Sequence, residues 1–324
     1  MIIEKNIRKF FDDWGENYHF NICMRMLMES LNEDERFDYP FFSGLTNDVF
    51  TQIYTGDSFV GPLSHTKFDS RLADRVFSAI GYNHIFVSEK DFQANKSRWY
   101  EKVVESLNNG KMVILRGIVD FGLICGYEQN NILHIYGRRD DKYLTSIEGL
   151  DSATLLIFIG DKVKTPDIKK IYANMVMQIP SCFNRLPENR YYFGINALEK
   201  WHDTLLDDSL YDNNNFDFWN VHASPLTIES ENNGCNWSKG FARELLKRFS
   251  ESLNGTEYQD LIKNLIMIYD KLGTESSSIF HEKLDHGINT EDFRQREVRK
   301  IIAEKIRSIS EYHKEILLLY GGSR

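Results

Sequence analysis

Three short apolar runs in the first half of the chain constrain its fold more than any other feature. They cover residues 112–115, 121–125 and 132–136, and polar or glycine-containing segments separate them. The segment Gln129-Asn130-Asn131, between the last two runs, is typical of a hairpin turn. A fourth apolar run follows at residues 153–159. We therefore expect these runs to form the strands of an antiparallel sheet.

Helical patterns lie on both sides of these strands. In the first half, apolar residues recur at helical spacing in three segments, at residues 20–31, 69–80 and 96–107. Asn21 is the expected N-cap of the first segment, and Gly81 is expected to end the second. In the second half, the sequence predicts four helices, at residues 190–206, 237–253, 258–272 and 290–320. The predicted fold class is α+β.

A cluster of prolines divides the chain. Pro166, Pro180 and Pro187 are three of its six prolines, and because proline disfavours helices and central strands, they predict a connecting region. We expect an α+β domain at residues 1–165 and a helical domain at residues 166–324 packing on it. The last helix has an apolar face that could pack on its own domain or form a homodimer with a second copy.

Composition excludes several classes of function. Lys and Arg number 39 and Asp and Glu number 48, so the net charge is -9, and an acidic surface does not favour nucleic acid. No run approaches the roughly 20 apolar residues of a membrane span, and the first residues do not resemble a secretory signal. Because no phosphate-binding loop or metal-ligand motif is found, neither a cofactor nor a metal is expected. The four separated cysteines make the cytoplasm the expected location.

Cys23 is the candidate with the most chemical interest. It lies in the first turn or so of the helix predicted over residues 20–31, where the helix dipole favours a thiolate. The alternative is that Cys23 belongs to the core, because free cysteine is among the most often buried residue types and its neighbours are Ile22 and Met24. From the residues alone, a core position is the commoner outcome.

The order of elements around Cys23 resembles that of the papain-like cysteine enzymes. Cys23 begins the first helix, a later helix leads into residues 110–115, and the next strand runs from Asp120 to Gly126-Tyr127-Glu128. The order looks most like the branch of the C39-type peptidases and the N-terminal domain of the butirosin-pathway acyltransferase. Residues 192–201 resemble a helix of the extension in such proteins. The resemblance implies a papain-like domain with an antiparallel sheet plus a C-terminal all-helical extension.

The resemblance also implies roles for single residues. Cys23 would be the nucleophile, and Asn17 stands where the family places an oxyanion-hole glutamine. The dyad histidine is replaced by Asp120, and a carboxylate is a poor base for a thiol unless burial raises its pKa. Either His19 or His134 serves as the base, or the site does different chemistry, or it does none. The candidate substrate-binding residues are Phe121, Tyr127, Tyr192 and Trp201.

Two functions are compatible with these residues. The first is an enzyme of specialised metabolism that transfers an acyl group, or forms or hydrolyses an amide, through a thioester on Cys23. Its substrate would be a small molecule or an acyl group on a carrier protein. The alternative is a catalytically inactive papain-like module that binds a small molecule or a peptide between its two halves. The enzyme ranks first because Cys23 occupies the position that the family requires.

Overall fold

The computed structural model describes residues 16, 18–56, 68–117, 120–129, 131–139, 142–151, 153–211, 221–222, 225, 232–233, 240–281 and 290–321. The contacts group the chain into two compact units. The first unit comprises Met1–Thr46 and Thr66–Asp167, and the second comprises Asn47–His65 and Ile168–Arg324. The first unit combines helices with a sheet, and helices dominate the second. The α+β class predicted from the sequence is confirmed.

The first unit has mostly helices followed by five consecutive strands, and the second unit is mostly helical. The helices are α1 (His19–Ser30), α2 (Tyr39–Thr46), α3 (Ser70–Ile80), α4 (Glu89–Ala94), α5 (Lys96–Asn108), α6 (Ile168–Phe183), α7 (Gly194–Leu206), α8 (Asp208–Tyr211), α9 (Phe241–Ser252), α10 (Gln259–His281), α11 (Thr290–Arg294) and α12 (Arg296–Leu319). The strands are β1 (Ile53–Tyr54), β2 (Tyr82–Ser88), β3 (Val113–Arg116), β4 (Phe121–Tyr127), β5 (Ile132–Arg139), β6 (Lys142–Glu148), β7 (Leu155–Lys162) and β8 (Tyr192–Phe193).

Six strands of the first unit form one antiparallel sheet in the order β2-β7-β3-β4-β5-β6. The four apolar runs became β3, β4, β5 and β7, and the predicted hairpin pairs Ile124 with Ile135. Sequence reasoning missed β6, because this edge strand alternates exposed and half-buried residues and has no continuous apolar run. The predicted antiparallel sheet is confirmed, with β6 as an added edge.

Helix α1 carries Cys23 and packs against α2 and β4. It begins at His19, and the backbone N–H of the preceding Tyr18 donates a hydrogen bond to the Tyr39 hydroxyl at 3.0 Å. The prediction that Asn21 caps this helix is wrong. Asn21 is the third residue of α1, fully buried, and its Oδ1 accepts a hydrogen bond from Thr46 Oγ1 at 3.2 Å. Its amide therefore joins α1 to the end of α2.

Two of the clustered prolines, Pro166 and Pro187, lie in connecting segments as the sequence predicts, whereas Pro180 lies inside α6. A proline inside a helix leaves the carbonyl four residues earlier without its usual N–H partner. That carbonyl belongs to Val176, and it accepts a hydrogen bond from the Tyr320 hydroxyl at 2.7 Å. A distant side chain thus replaces the bond that proline removes, and the helix continues to Phe183.

Two other boundaries in the second unit differ from the sequence prediction. Helix α7 begins at Gly194 rather than at residue 190, because Tyr192 and Phe193 are extended and pair with β1. The C-terminal half is therefore not all-helical. Helix α10 continues past Gly273, where a Cβ would lie 3.0 Å from the Asn233 carbonyl oxygen. Glycine at this position permits close packing instead of ending the helix.

The apolar face of the last helix packs within its own unit. Helix α12 contacts α7 and α10, and its inward residues are Val298, Ile302, Ile306, Ile309 and Ile316. Ile301 lies on the same helix with 43% of its surface exposed. A homodimer through this helix stays a prediction, and most of the face that suggested it is already covered.

No helix among the residues that the structure describes is both long and apolar enough to cross a membrane.

Candidate active site

The position of Cys23 along α1 limits what its backbone can do. Only the first four N–H groups of an α-helix have no partner within the helix. Because α1 begins at His19, Cys23 is its fifth residue and lies just beyond the first turn. The influence of the helix dipole falls off within that turn. The backbone N–H of Cys23 is thus hydrogen-bonded within the helix and is not available to bind an oxyanion.

The surroundings of Cys23 keep its thiol protonated. The side chain is fully buried in the first unit, and burial raises the pKa of the thiol well above its usual value. The negative charge of Asp120 raises this pKa further, and the positive charge of Arg25 opposes the shift. Since the thiolate is the nucleophile in cysteine chemistry, these surroundings disfavour the reactive form.

His19 and Asp120 lie together at the start of α1. His19 Nδ1 is 2.8 Å from Asp120 Oδ2, and the two side chains retain 16% and 18% of their surface exposed. The other carboxylate oxygen accepts a hydrogen bond from the backbone N–H of Phe121 at 2.8 Å, which fixes Asp120 at the beginning of β4. His19 and Cys23 are four residues apart and share a helix face. Three of the predicted catalytic residues thus belong to one part of the first unit.

The other predicted histidine belongs to a different part of the sheet. His134 is paired with Gly126 in the ladder, six residues along β4 from Asp120, which corresponds to roughly 20 Å. Its Nε2 lies 2.9 Å from Glu128 Oε1 and its Nδ1 lies 3.0 Å from Ser146 Oγ. Ser146 is exposed and directly opposite His134 across the β5–β6 ladder. We assign this group to the cross-strand contacts that stabilise sheets.

A buried arginine of α1 was not predicted from the sequence. Arg25 is fully buried, and its guanidinium lies 3.1 Å from Glu16 Oε2 and 3.2 Å from Glu29 Oε1. The spacing of Arg25 and Glu29, four residues apart on a predicted helix, was the available signal. Asn17, the predicted oxyanion-hole residue, lies outside the described residues.

The two candidate substrate-binding residues of β4 lie far apart. Phe121 is buried and packs in an aromatic cluster, with ring centroids 5.4 Å from Phe20 and 4.9 Å from Phe68. Tyr127 is six residues further on, and its hydroxyl donates a hydrogen bond to Asn108 Oδ1 at 2.9 Å. Because six strand residues span roughly 20 Å, the two rings do not line one small site. Phe121 is a core residue beside Asp120.

The two candidates of the second unit also differ in surroundings. Trp201 is fully buried, its ring stacks on Tyr54 at 6.3 Å, and its Nε1 donates a hydrogen bond to His222 Nδ1 at 3.1 Å. With both its faces and its N–H group inside the protein, Trp201 is a packing residue. Tyr192 is half-buried in β8, with Lys200 Nζ 6.0 Å from its ring centroid.

Comparison of the chain with protein-family models and with curated proteins gives no match. The functional assignment therefore rests on the geometry of Cys23, His19 and Asp120.

Proposed function

We propose that the first unit is a papain-like module that binds a small molecule or a peptide and does not use Cys23 as a nucleophile. The observation that carries this proposal is the complete burial of the Cys23 side chain. The order of the elements supports the papain-like part, because a cysteine-bearing helix packs on the strand that begins beside Asp120. Asp120 also supports the loss of catalysis, because the resemblance implies a dyad histidine at this position.

Charge also argues against the usual activation of a papain-like cysteine. In such enzymes an imidazolium stabilises the thiolate as an ion pair. Here the charged group that acts most on Cys23 is the Asp120 carboxylate, and it disfavours a second negative charge nearby. The partly exposed His19–Asp120 pair is better suited to contact a polar group of a ligand than to activate a buried thiol.

A second candidate function is acyl transfer, and the His19–Asp120 contact favours it. His19 Nδ1 lies 2.8 Å from Asp120 Oδ2, and a neutral imidazole with its proton on Nδ1 has Nε2 as a proton acceptor. In this scheme, His19 takes the thiol proton, the Cys23 sulfur attacks the acyl carbonyl, and the leaving group departs with that proton. An amine or water then cleaves the thioester. The acyl donor would be a small molecule or a carrier-protein thioester, and Cys23 would have to become accessible first.

The reactivity of Cys23 separates the two functions. We expect iodoacetamide to label Cys23 in the folded protein at least about tenfold more slowly than in the unfolded protein, because burial suppresses both access and the thiolate. Peptide mapping by mass spectrometry gives the rate at each cysteine, and Cys23→Ser identifies the signal. Fast labelling that begins well below the free-thiol pKa of about 8.5 would contradict the binding module and favour acyl transfer.

Ligand binding at the His19–Asp120 pair gives a second test. In a thermal-shift screen of amino acids, acylated amines and short peptides, we expect at least one compound to stabilise the protein. A ligand at 100 times its dissociation constant adds about 2.7 kcal/mol. Asp120→Asn should reduce this shift, whereas Asp151→Asn, which alters an exposed carboxylate paired with Lys96, should not. Equal shifts in both variants would place the ligand away from Asp120.

A further inference from the structure

A groove of about 490 Å³ in the first unit is separate from the His19–Asp120 pair. Its described lining residues come from β2, α5, β7 and the segment before β3, and none of them belongs to α1 or β4. Ile85 and Phe158 give it an apolar side, since they lie opposite each other in the β2–β7 ladder. Sites for small molecules are concave, largely apolar and about 300–1,000 Å³ in volume. The groove therefore has the size and the apolar side of such a site.

The positive charges of the groove are more sheltered than its negative charges. The side chains of Lys102 and Lys111 are 34% and 27% exposed. The carboxylates paired with them, those of Glu105 and Asp161, are 69% and 89% exposed. Because salt and water screen exposed charges more strongly than sheltered ones, the two lysines dominate the electrostatic potential inside the groove. The groove thus favours an anion, although the whole chain carries a net charge of -9.

Both lysines retain N–H donors for a ligand within the part of the chain that the structure describes. Lys111 Nζ donates to the Gly160 carbonyl oxygen at 2.8 Å and to Asp161 Oδ1 at 3.0 Å, which uses two of its three donors. Lys102 Nζ lies 4.0 Å from Glu105 Oε2, which is beyond hydrogen-bond distance. Exposed ion pairs of this kind contribute little to stability. An anion can therefore bind Lys102 without breaking a hydrogen bond of that residue.

We infer that this groove binds a small carboxylate with an aromatic or branched apolar group. The carboxylate accepts a hydrogen bond from Lys102 and is attracted by Lys111, and the apolar group covers Ile85. The charge and the apolar side are adjacent, because Lys102 Nζ lies 5.9 Å from the centroid of the Phe158 ring. Charge-assisted hydrogen bonds are stronger than neutral ones, so the groove should distinguish a carboxylate from its uncharged amide.

The methyl groups of two isoleucines locate the ligand. Ile85 on β2 and Ile301 on α12 are 42% and 43% exposed, so they differ in place and not in exposure. With phenylacetate as the probe, we expect the methyl NMR signals of Ile85 to shift and saturate with a Kd on the order of 1–10 mM. The signals of Ile301 should not move. Phenylacetamide, which has the same ring and no charge, should bind at least about fivefold more weakly.

Two lysine variants on α5 test the role of charge. Lys102→Met keeps much of the apolar stem without the ammonium group, and we expect it to weaken phenylacetate binding at least about fivefold. Lys96→Met should leave the affinity unchanged, because Lys96 pairs with Asp151 and does not line the groove.

Four outcomes would overturn the inference. They are an Ile85 signal that does not saturate, equal shifts at Ile85 and Ile301, equal affinity for the acid and the amide, and a Lys102→Met variant that binds as tightly as the parent chain. Circular dichroism verifies that both variants fold. If Lys102→Met does not fold, the comparison of acid with amide on the unaltered chain decides.

Discussion

Replacing Gly194 by alanine is expected to destabilise the second unit by about 2–5 kcal/mol. Gly194 has a φ of +54°, in the left-handed region that costs other residues about 1–2 kcal/mol. A Cβ at this position would clash with the Phe183 carbonyl oxygen and lie 2.5 Å from that of Cys182. Those atoms are backbone at the end of α6, and forced overpacking adds about 1–3 kcal/mol.

Gly255→Ala provides the matched control for this substitution. Gly255 also has a positive φ, +76°, but no atom of the residues that the structure describes lies within 4 Å of the Cβ that alanine would add. This variant should lose only the conformational term of about 1–2 kcal/mol. Chemical unfolding followed by circular dichroism measures both variants, and their difference isolates the clash with α6. Equal losses would show that the contact at the end of α6 is relieved at little cost.

Acidification is expected to destabilise the second unit well before its carboxylates are protonated. Burial lowers the pKa of His222 and of His313 to about 3. Because the unfolded pKa is near 6.5, the unfolded chain binds more protons between these values, and stability falls as the pH decreases. Each histidine should contribute a loss of about 2 kcal/mol between pH 7 and pH 5.

The hydrogen bonds of His222 give this effect a structural basis. His222 Nδ1 accepts a hydrogen bond from Trp201 Nε1. His222 Nε2 lies 2.9 Å from the Tyr211 hydroxyl, which donates to the Thr204 carbonyl oxygen. The ring is therefore neutral with its proton on Nε2, and a second proton on Nδ1 would displace the Trp201 donor. The nearby positive charge of Arg299 further disfavours protonation.

The variant His313→Phe distinguishes the contribution of His313 to this loss of stability from that of His222. The His313 ring stacks on Phe183 with centroids 4.3 Å apart, and phenylalanine keeps an aromatic ring there without a titratable group. Unfolding free energies measured between pH 7 and pH 5 should therefore change about half as much in this variant as in the parent chain. An unchanged pH dependence would mean that His313 does not contribute to the acid sensitivity.

Local patterns predicted the sheet and α1 because their signals are contained in a few neighbouring residues. The apolar runs of β3, β4, β5 and β7 and the turn at residues 129–131 are signals of this kind. The errors arose where a distant contact decided the outcome. Asn21 bonds to Thr46, 25 residues away, and Gly273 makes room for the Asn233 carbonyl. Neither partner can be identified from spacing along one segment.

The candidate site was predicted in part for the same reason. Cys23 was singled out from its position near the start of a predicted helix, and His19 and Asp120 from the resemblance to papain-like enzymes. The structure brings His19 and Asp120 into contact. The burial of Cys23 and of Trp201 depends on the packing of whole elements. Sequence reasoning therefore left the burial of Cys23 undecided and wrongly named Trp201 as a substrate-binding residue. The Arg25–Glu16 pair was missed because nothing in the local pattern indicates that Arg25 is buried.

The Tyr320 hydrogen bond to the Val176 carbonyl has a consequence for how the chain can change in evolution. Proline at position 180 is tolerated because a hydroxyl at position 320 satisfies the carbonyl that proline leaves open. In a chain with any other residue at 180, the helix would satisfy that carbonyl itself and position 320 would be free to vary. We therefore expect positions 180 and 320 to covary among related sequences, although 140 residues separate them.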